Sequence, residues 1–397
     1  MSNPHSSNRR WTTLFKLAFF AHLFVTSVLV AFFAIRGLIF SSHRFSRFYL
    51  PLLASSLFSA LPASAFLFCA LRRPSAAIKA AMWLAPFMSL SLGLLLLAAG
   101  DPPGLALAAV SVASALAQSL YGCWASPRLP FAADVLSTAT RGCGGAGAGA
   151  ATLAALYAAV WACGVSGLAT EGYRLAPLFV LALLLGLAWP MQTIRTVAHV
   201  AVSGTAYAGS SDARVSLGAA CAASVAVPAV CAVRGAARAM RIVAGGDADE
   251  FLFSCADCFS GVAGQIVARA NRWGLVHIAR KGFVRASVEA WEAFGRAGMG
   301  RLIEVDLTSS FCFLSGVAGG ALSGIVGGAW VLVVHKELTA GVSAYAFLIG
   351  YFVTRIAMVW PQACVTAYYV AYAEDPGTAR FDSTISNRIR ELQASGD

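Results

Sequence analysis

Apolar runs of bilayer length recur along the whole chain, and little of the sequence lies outside them. A hydrocarbon core about 30 Å thick takes about 20 apolar residues per helical crossing. Such runs stand near 14–35, 48–71, 78–99, 104–124, 143–165, 176–200, 214–233, 251–268, 308–334 and 341–372. In lipid every backbone polar group must be satisfied within the chain, which leaves helices or closed barrels. These runs are continuous rather than alternating, so they predict helices. The expected fold class is all-α: a polytopic membrane helix bundle of about ten transmembrane helices, with an amphipathic helix on the inner leaflet.

The runs are spread evenly, so one membrane domain over 14–372 is expected. A short polar tail, 1–13, precedes it and another, 373–397, follows it. The first run is too long for a signal peptide, and no small-residue cleavage site follows it, so it reads as a retained helix. The longest polar stretch, 269–306, carries Arg269, Arg272, Arg280, Lys281, Arg285, Arg296 and Arg301. Within it, 284–294 (VRASVEAWEAF) has the spacing of an amphipathic helix.

The net charge is +11. In a chain this apolar, such an excess points to inner-leaflet lipid rather than nucleic acid. With ten crossings and a cytosolic N-terminus, cytosolic segments hold more than twice as many Lys and Arg as external loops. Both ends are therefore expected in the cytosol, with anionic membrane lipids as partners and no nucleic acid.

Enzyme signatures are absent: the sequence has no P-loop, GxSxG, HExxH or dinucleotide fingerprint. The six histidines are scattered, and the Cys255/Cys258 CxxC has no second pair to complete a zinc site. No catalytic residue, metal or other cofactor is expected.

Two sets of small residues predict close helix packing. One opens the fifth run: Gly142, Gly144, Gly145, Gly147 and Gly149. The other is a ridge in the ninth, where Gly316, Gly320, Gly324 and Gly328 recur every four residues. Glycine is costly in an isolated helix, so such a ridge implies a partner packed on backbone.

Polar groups inside apolar runs point to function, because burying them in lipid is expensive. Gln192 and Arg195 follow Trp189-Pro190 in the sixth run; Trp360-Pro361-Gln362 repeats that arrangement in the tenth, where Arg355 also lies. Proline breaks a helix, and broken helices at midplane are where transporters place substrates. Aromatic faces hold quaternary amines by cation–π attraction. The candidate substrate-binding residues are therefore Trp189, Gln192, Trp330, Arg355, Trp360, Gln362 and Tyr368.

Several motifs in order carry a family resemblance. They are Asn271-Arg272-Trp273, Val276-His277-Ile278-Ala279, Ala286-Ser287, Glu289-Ala290-Trp291-Glu292-Ala293-Phe294 and Ala371-Tyr372-Ala373-Glu374-Asp375-Pro376. Together they resemble the choline transporter-like family, solute carrier family 44, in its plant form. The chain departs from that pattern at Gln192 and Gln362, where plant members tend to carry Glu, and at Arg355, where they carry a small residue. The resemblance implies a carrier moving choline or a related amine, in the plasma membrane first and an endomembrane second. The alternative is a non-transporting membrane protein of lipid homeostasis or vesicle traffic.

Overall fold

Proline, glycine and apolar length set the helix boundaries in this computed structural model, which describes residues 4–141, 148–170, 175–206, 216–244, 250–304, 306–377, 381 and 383–394. The helices are α1 (Pro4–Phe58), α2 (Ala60–Arg72), α3 (Pro74–Ala99), α4 (Pro102–Ala125), α5 (Leu129–Arg141), α6 (Ala148–Leu168), α7 (Ala176–Ala206) and α8 (Leu217–Ala244). They continue as α9 (Glu250–Arg269), α10 (Ile278–Lys281), α11 (Phe283–Arg296), α12 (Gly300–Glu304), α13 (Thr308–Val334), α14 (Thr339–Ala357), α15 (Val359–Glu374) and α16 (Thr384–Ala394). A short 3-10 turn, Arg272–Val276, precedes α10. No strand occurs among the described residues.

Eight helical stretches among the described residues are long and apolar enough to cross a membrane. One of them, Arg10–Arg72, is 63 residues long. At 1.5 Å per residue it would extend about 95 Å, three times a hydrocarbon core. It holds the first two apolar runs, divided where Ser41 leaves helical geometry (φ −148°, ψ 43°). The eighth run coincides with α9, which is not among the eight stretches. The tenth run is not one helix: it breaks at Met358 into α14 and α15. Pro361 has no N–H to continue the ladder to Ala357, so the helix stops there.

Turn chemistry agrees with the sequence at the α3–α4 link. α3 ends on Gly100 in the left-handed region (φ 74°), and α4 starts on Pro102-Pro103 after extended Asp101. Glycine carries that φ without a Cβ penalty, and proline suits a helix's first turn, where no N–H is needed. Gly142, Gly144, Gly145 and Gly147 lie outside the described residues, as do the side chains of Cys255 and Cys258.

The chain divides into two compact units. One comprises residues 21–198 and 305–365. Its core gathers Phe33, Leu52, Trp161, Leu187, Met191 and Ile349, all almost fully buried. Within it α13 and α14 pack along the glycine ridge. A Cβ on Gly320 would lie 2.8 Å from the Phe347 carbonyl, and one on Gly324 would lie 3.1 Å from the Ser343 carbonyl. On α14, Gly350 meets the Ser323 side chain in the same way. The expected backbone contact is therefore present, and α14 is the partner, antiparallel to α13.

The other unit comprises residues 1–20, 199–304 and 366–397. Asn271 organises it. Its side chain accepts from Gly274 N (3.1 Å) and donates to the carbonyls of Val267 (3.1 Å) and Ser287 (3.0 Å). Trp273 then packs edge-on against Phe294 (5.3 Å) and Tyr369 (5.7 Å). The apolar face of amphipathic α11 (Phe283, Ala286, Ala290, Ala293 and Phe294) is thus buried inside this unit of the protein. Lys281 and Arg285 both pair with Glu289 on its outer face. The motif residues Asn271, Trp273, Ser287 and Phe294 are structural members of this unit.

Candidate functional site

The two Trp-Pro breaks meet at a single polar junction in the unit of residues 21–198 and 305–365. Pro190 lies inside α7 and cannot donate to the carbonyl four residues before it, that of Gly186. The Tyr157 hydroxyl on α6 donates to that carbonyl instead. One turn earlier, Trp161 Nε1 donates to the Leu183 carbonyl at 2.7 Å. The interrupted ladder of α7 is therefore closed by side chains of α6, as membrane helices with internal proline require.

Beyond the break, Arg195 Nη2 donates to Gln362 Oε1 at 2.7 Å. The same guanidinium reaches Gln192 Oε1 at 3.4 Å. Gln362, buried, donates from Nε2 to the Ser309 hydroxyl at 3.1 Å. One guanidinium on α7 thus ties the start of α15 to the first turn of α13. Both glutamines accept from Arg195 as neutral amides. Charge-assisted bonds of this kind are roughly twice as strong as neutral ones.

The candidate residues do not gather in one place. Gln192 and Gln362 belong to the junction. Trp360, two residues before Gln362, is buried, and Trp189 lies 5.0 Å, ring to ring, from His22. Trp330, 47% exposed, stands on the outside of α13. Tyr368 is buried in the other unit, against Tyr369 and Phe381.

Arg355 stands apart from the junction. The sequence places it near the middle of the tenth run, with Gln192, Gln362 and the C-terminal carbonyl end of a kinked helix as candidate partners. The break at Met358 puts it in the last turn of α14 instead, and Arg195 occupies both glutamines. The stem of Arg355 packs on Gly316, and its guanidinium lies 5.8 Å from the Phe313 ring centroid. A cation suits a helix C-terminus, where the carbonyl ends of the dipole gather.

Arg195 and Ser309 complete the junction. Arg195 was visible in the sequence as a cation one turn after Trp189-Pro190-Met191-Gln192; nothing in the sequence marks Ser309. A separate pair closes α15: His277 Nε2 lies 2.9 Å from the Glu374 carboxylate. That imidazole, opposed by partial burial, holds the Glu374 carboxyl below the ordinary carboxylate range. Cys364, two residues after Gln362, is disulfide-bonded, a state the sequence did not reveal. No metal-binding group of His, Cys, Asp or Glu occurs among the described residues.

A family model described as plasma-membrane choline transporter matches residues 75–377. No curated protein gives a match.

Proposed function

Because the chain belongs to the plasma-membrane choline transporter family, as a multipass membrane transporter, we propose that it moves choline or a related amine past the Arg195–Gln362 junction. The observation that supports this reading is the meeting of two proline-bearing segments on one polar cluster inside an apolar bundle. A structural helix pair has no need of a buried amide and a half-buried guanidinium there, since enclosing each is costly unless it is paired. Trp189 and Trp360, next to the two prolines, offer aromatic faces to a quaternary ammonium group, which has no hydrogen to donate.

Arg195 sets the affinity in this reading. At an effective dielectric of about 20, its charge would repel a cation about 6 Å away by roughly 3 kcal/mol. The substrate is therefore held weakly at the junction and released readily, which suits a carrier more than a tight-binding receptor. The protein's own groups bind and orient the amine, and no chemistry is performed on it.

The test is uptake of radiolabelled choline and a panel of related amines, in cells lacking endogenous choline uptake. Uptake that saturates, and that Gln362→Leu removes at unchanged surface expression, is the expected result. Equal uptake by cells with and without the protein, across the whole panel, overturns the reading.

A further inference from the structure

We propose that the end of the bundle where α4 stops, α13 starts and α14 stops is a binding site for the phosphate of an anionic membrane lipid, with Arg355 as its anchor. Arg355 Nη1 is enclosed and has no hydrogen-bond partner among the described residues. A guanidinium within a membrane-spanning helix keeps its charge, and such a charge needs an anion or water. No carboxylate of the described residues pairs with it. Gly316 lacks the Cβ that would meet the arginine stem, and the guanidinium is left over Phe313, itself 46% exposed.

The depth of Arg355 selects a lipid. α14 runs from Thr339 to Ala357, 19 residues. That is about 29 Å of helix, one hydrocarbon thickness. Lys336 precedes its start, so Arg355 lies near the opposite membrane boundary, at headgroup level. The neighbours there have the composition of a membrane-interface belt. Tyr121, near the end of α4, donates to Ser310 at 2.6 Å, one turn from Phe313. Trp124, exposed, lies 5.7 Å from Tyr121, and Arg128 stacks on it at 4.0 Å. Two cations and three aromatic rings thus share one rim of one unit. On the topology expected from the Lys/Arg bias, that rim faces the cytosolic leaflet, where anionic lipids concentrate.

The inference is independent of the substrate. It is tested on the full chain, purified in mild detergent and analysed by native mass spectrometry with added phosphatidylserine or phosphatidylcholine. The wild type should retain phosphatidylserine preferentially, and Arg355→Gln should reduce that preference about fivefold, the worth of one cation near a headgroup. Arg355→Lys should keep part of it. Equal retention of the two lipids by the wild type overturns the proposal without reference to any variant. So does a well-folded Arg355→Gln with undiminished preference. Displacement of the bound lipid by millimolar inorganic phosphate would assign the site to a free anion and likewise overturn it.

Discussion

Arg195 on α7 donates to Gln362 on α15 across 2.7 Å, and in doing so joins two stretches of chain that share the order Trp-Pro followed by glutamine. The guanidinium sits five residues after Pro190, and the amide one residue after Pro361. α7 runs on through Pro190, whereas the other stretch breaks beside Pro361, and the bond joins the two proline-bearing places.

Introducing a negative charge at this bond is the sharpest test of its role. Gln362→Glu would add a carboxylate beside Arg195 and make the junction more favourable to a cation. The KM for choline uptake should then fall, by up to about a hundredfold if the full repulsion of roughly 3 kcal/mol is removed. An unchanged KM would separate Arg195 from the substrate path.

The capping of α7 predicts a smaller, structural effect. Tyr157→Phe removes the hydroxyl that serves the Gly186 carbonyl but keeps the ring. Thermal unfolding in detergent should show a loss of about 1 kcal/mol, typical of an interhelical hydrogen bond in a membrane protein. A melting temperature identical to wild type would mean that this carbonyl needs no partner.

The seam between α13 and α14 allows no added bulk. Gly320→Leu drives a side chain into the Phe347 carbonyl, and Gly324→Leu into that of Ser343. Both variants should lose monodisperse protein in size-exclusion chromatography. Trp330→Leu, on the exposed face of the same helix, should not. Normal yield from either glycine variant would contradict the close approach.

Glu374 gives a pH dependence of defined sign. Its carboxyl is held below the ordinary value of 4.5, chiefly by His277. The stabilisation it contributes is complete above that value, and it is lost as pH falls through the depressed native value. Melting temperature should therefore decline as the solution is acidified below about pH 4.5, and Glu374→Gln should flatten that decline. A variant with the wild-type slope would show that other carboxylates control acid stability.

Topology is open to a direct check. If both ends are cytosolic, tags at either terminus should resist external protease in intact cells. A digested C-terminal tag would require an odd number of crossings.

Much of the helical architecture was legible, because apolar length is written in composition. Among the described residues each of the ten runs falls on helix, and the four-residue glycine spacing announced a partner that proved to be α14. The break at Met358 was not legible, since Val359-Trp360-Pro361 is apolar and a hydropathy window passes through it. That break moves Arg355 to a helix end and leaves the glutamines to Arg195. The amphipathic pattern of α11 was correct as a pattern, but periodicity does not reveal what covers a face; here Trp273 does, from ten residues upstream. Arg195 was readable as a buried cation, whereas its acceptor is 167 residues away and only the fold brings it near.

The glycine seam also has a mechanical meaning. Where glycines let the two helices approach this closely, only short side chains and the stem of Arg355 remain between α13 and α14 to absorb a displacement, and the seam resists sliding. Compliance is left to the joint at Met358, where Pro361 cannot donate to the Ala357 carbonyl, one helical turn before Gln362. A flexing of that joint would be felt first by the bond to Arg195, which makes the least apolar contact in the hairpin the one most exposed to its movement.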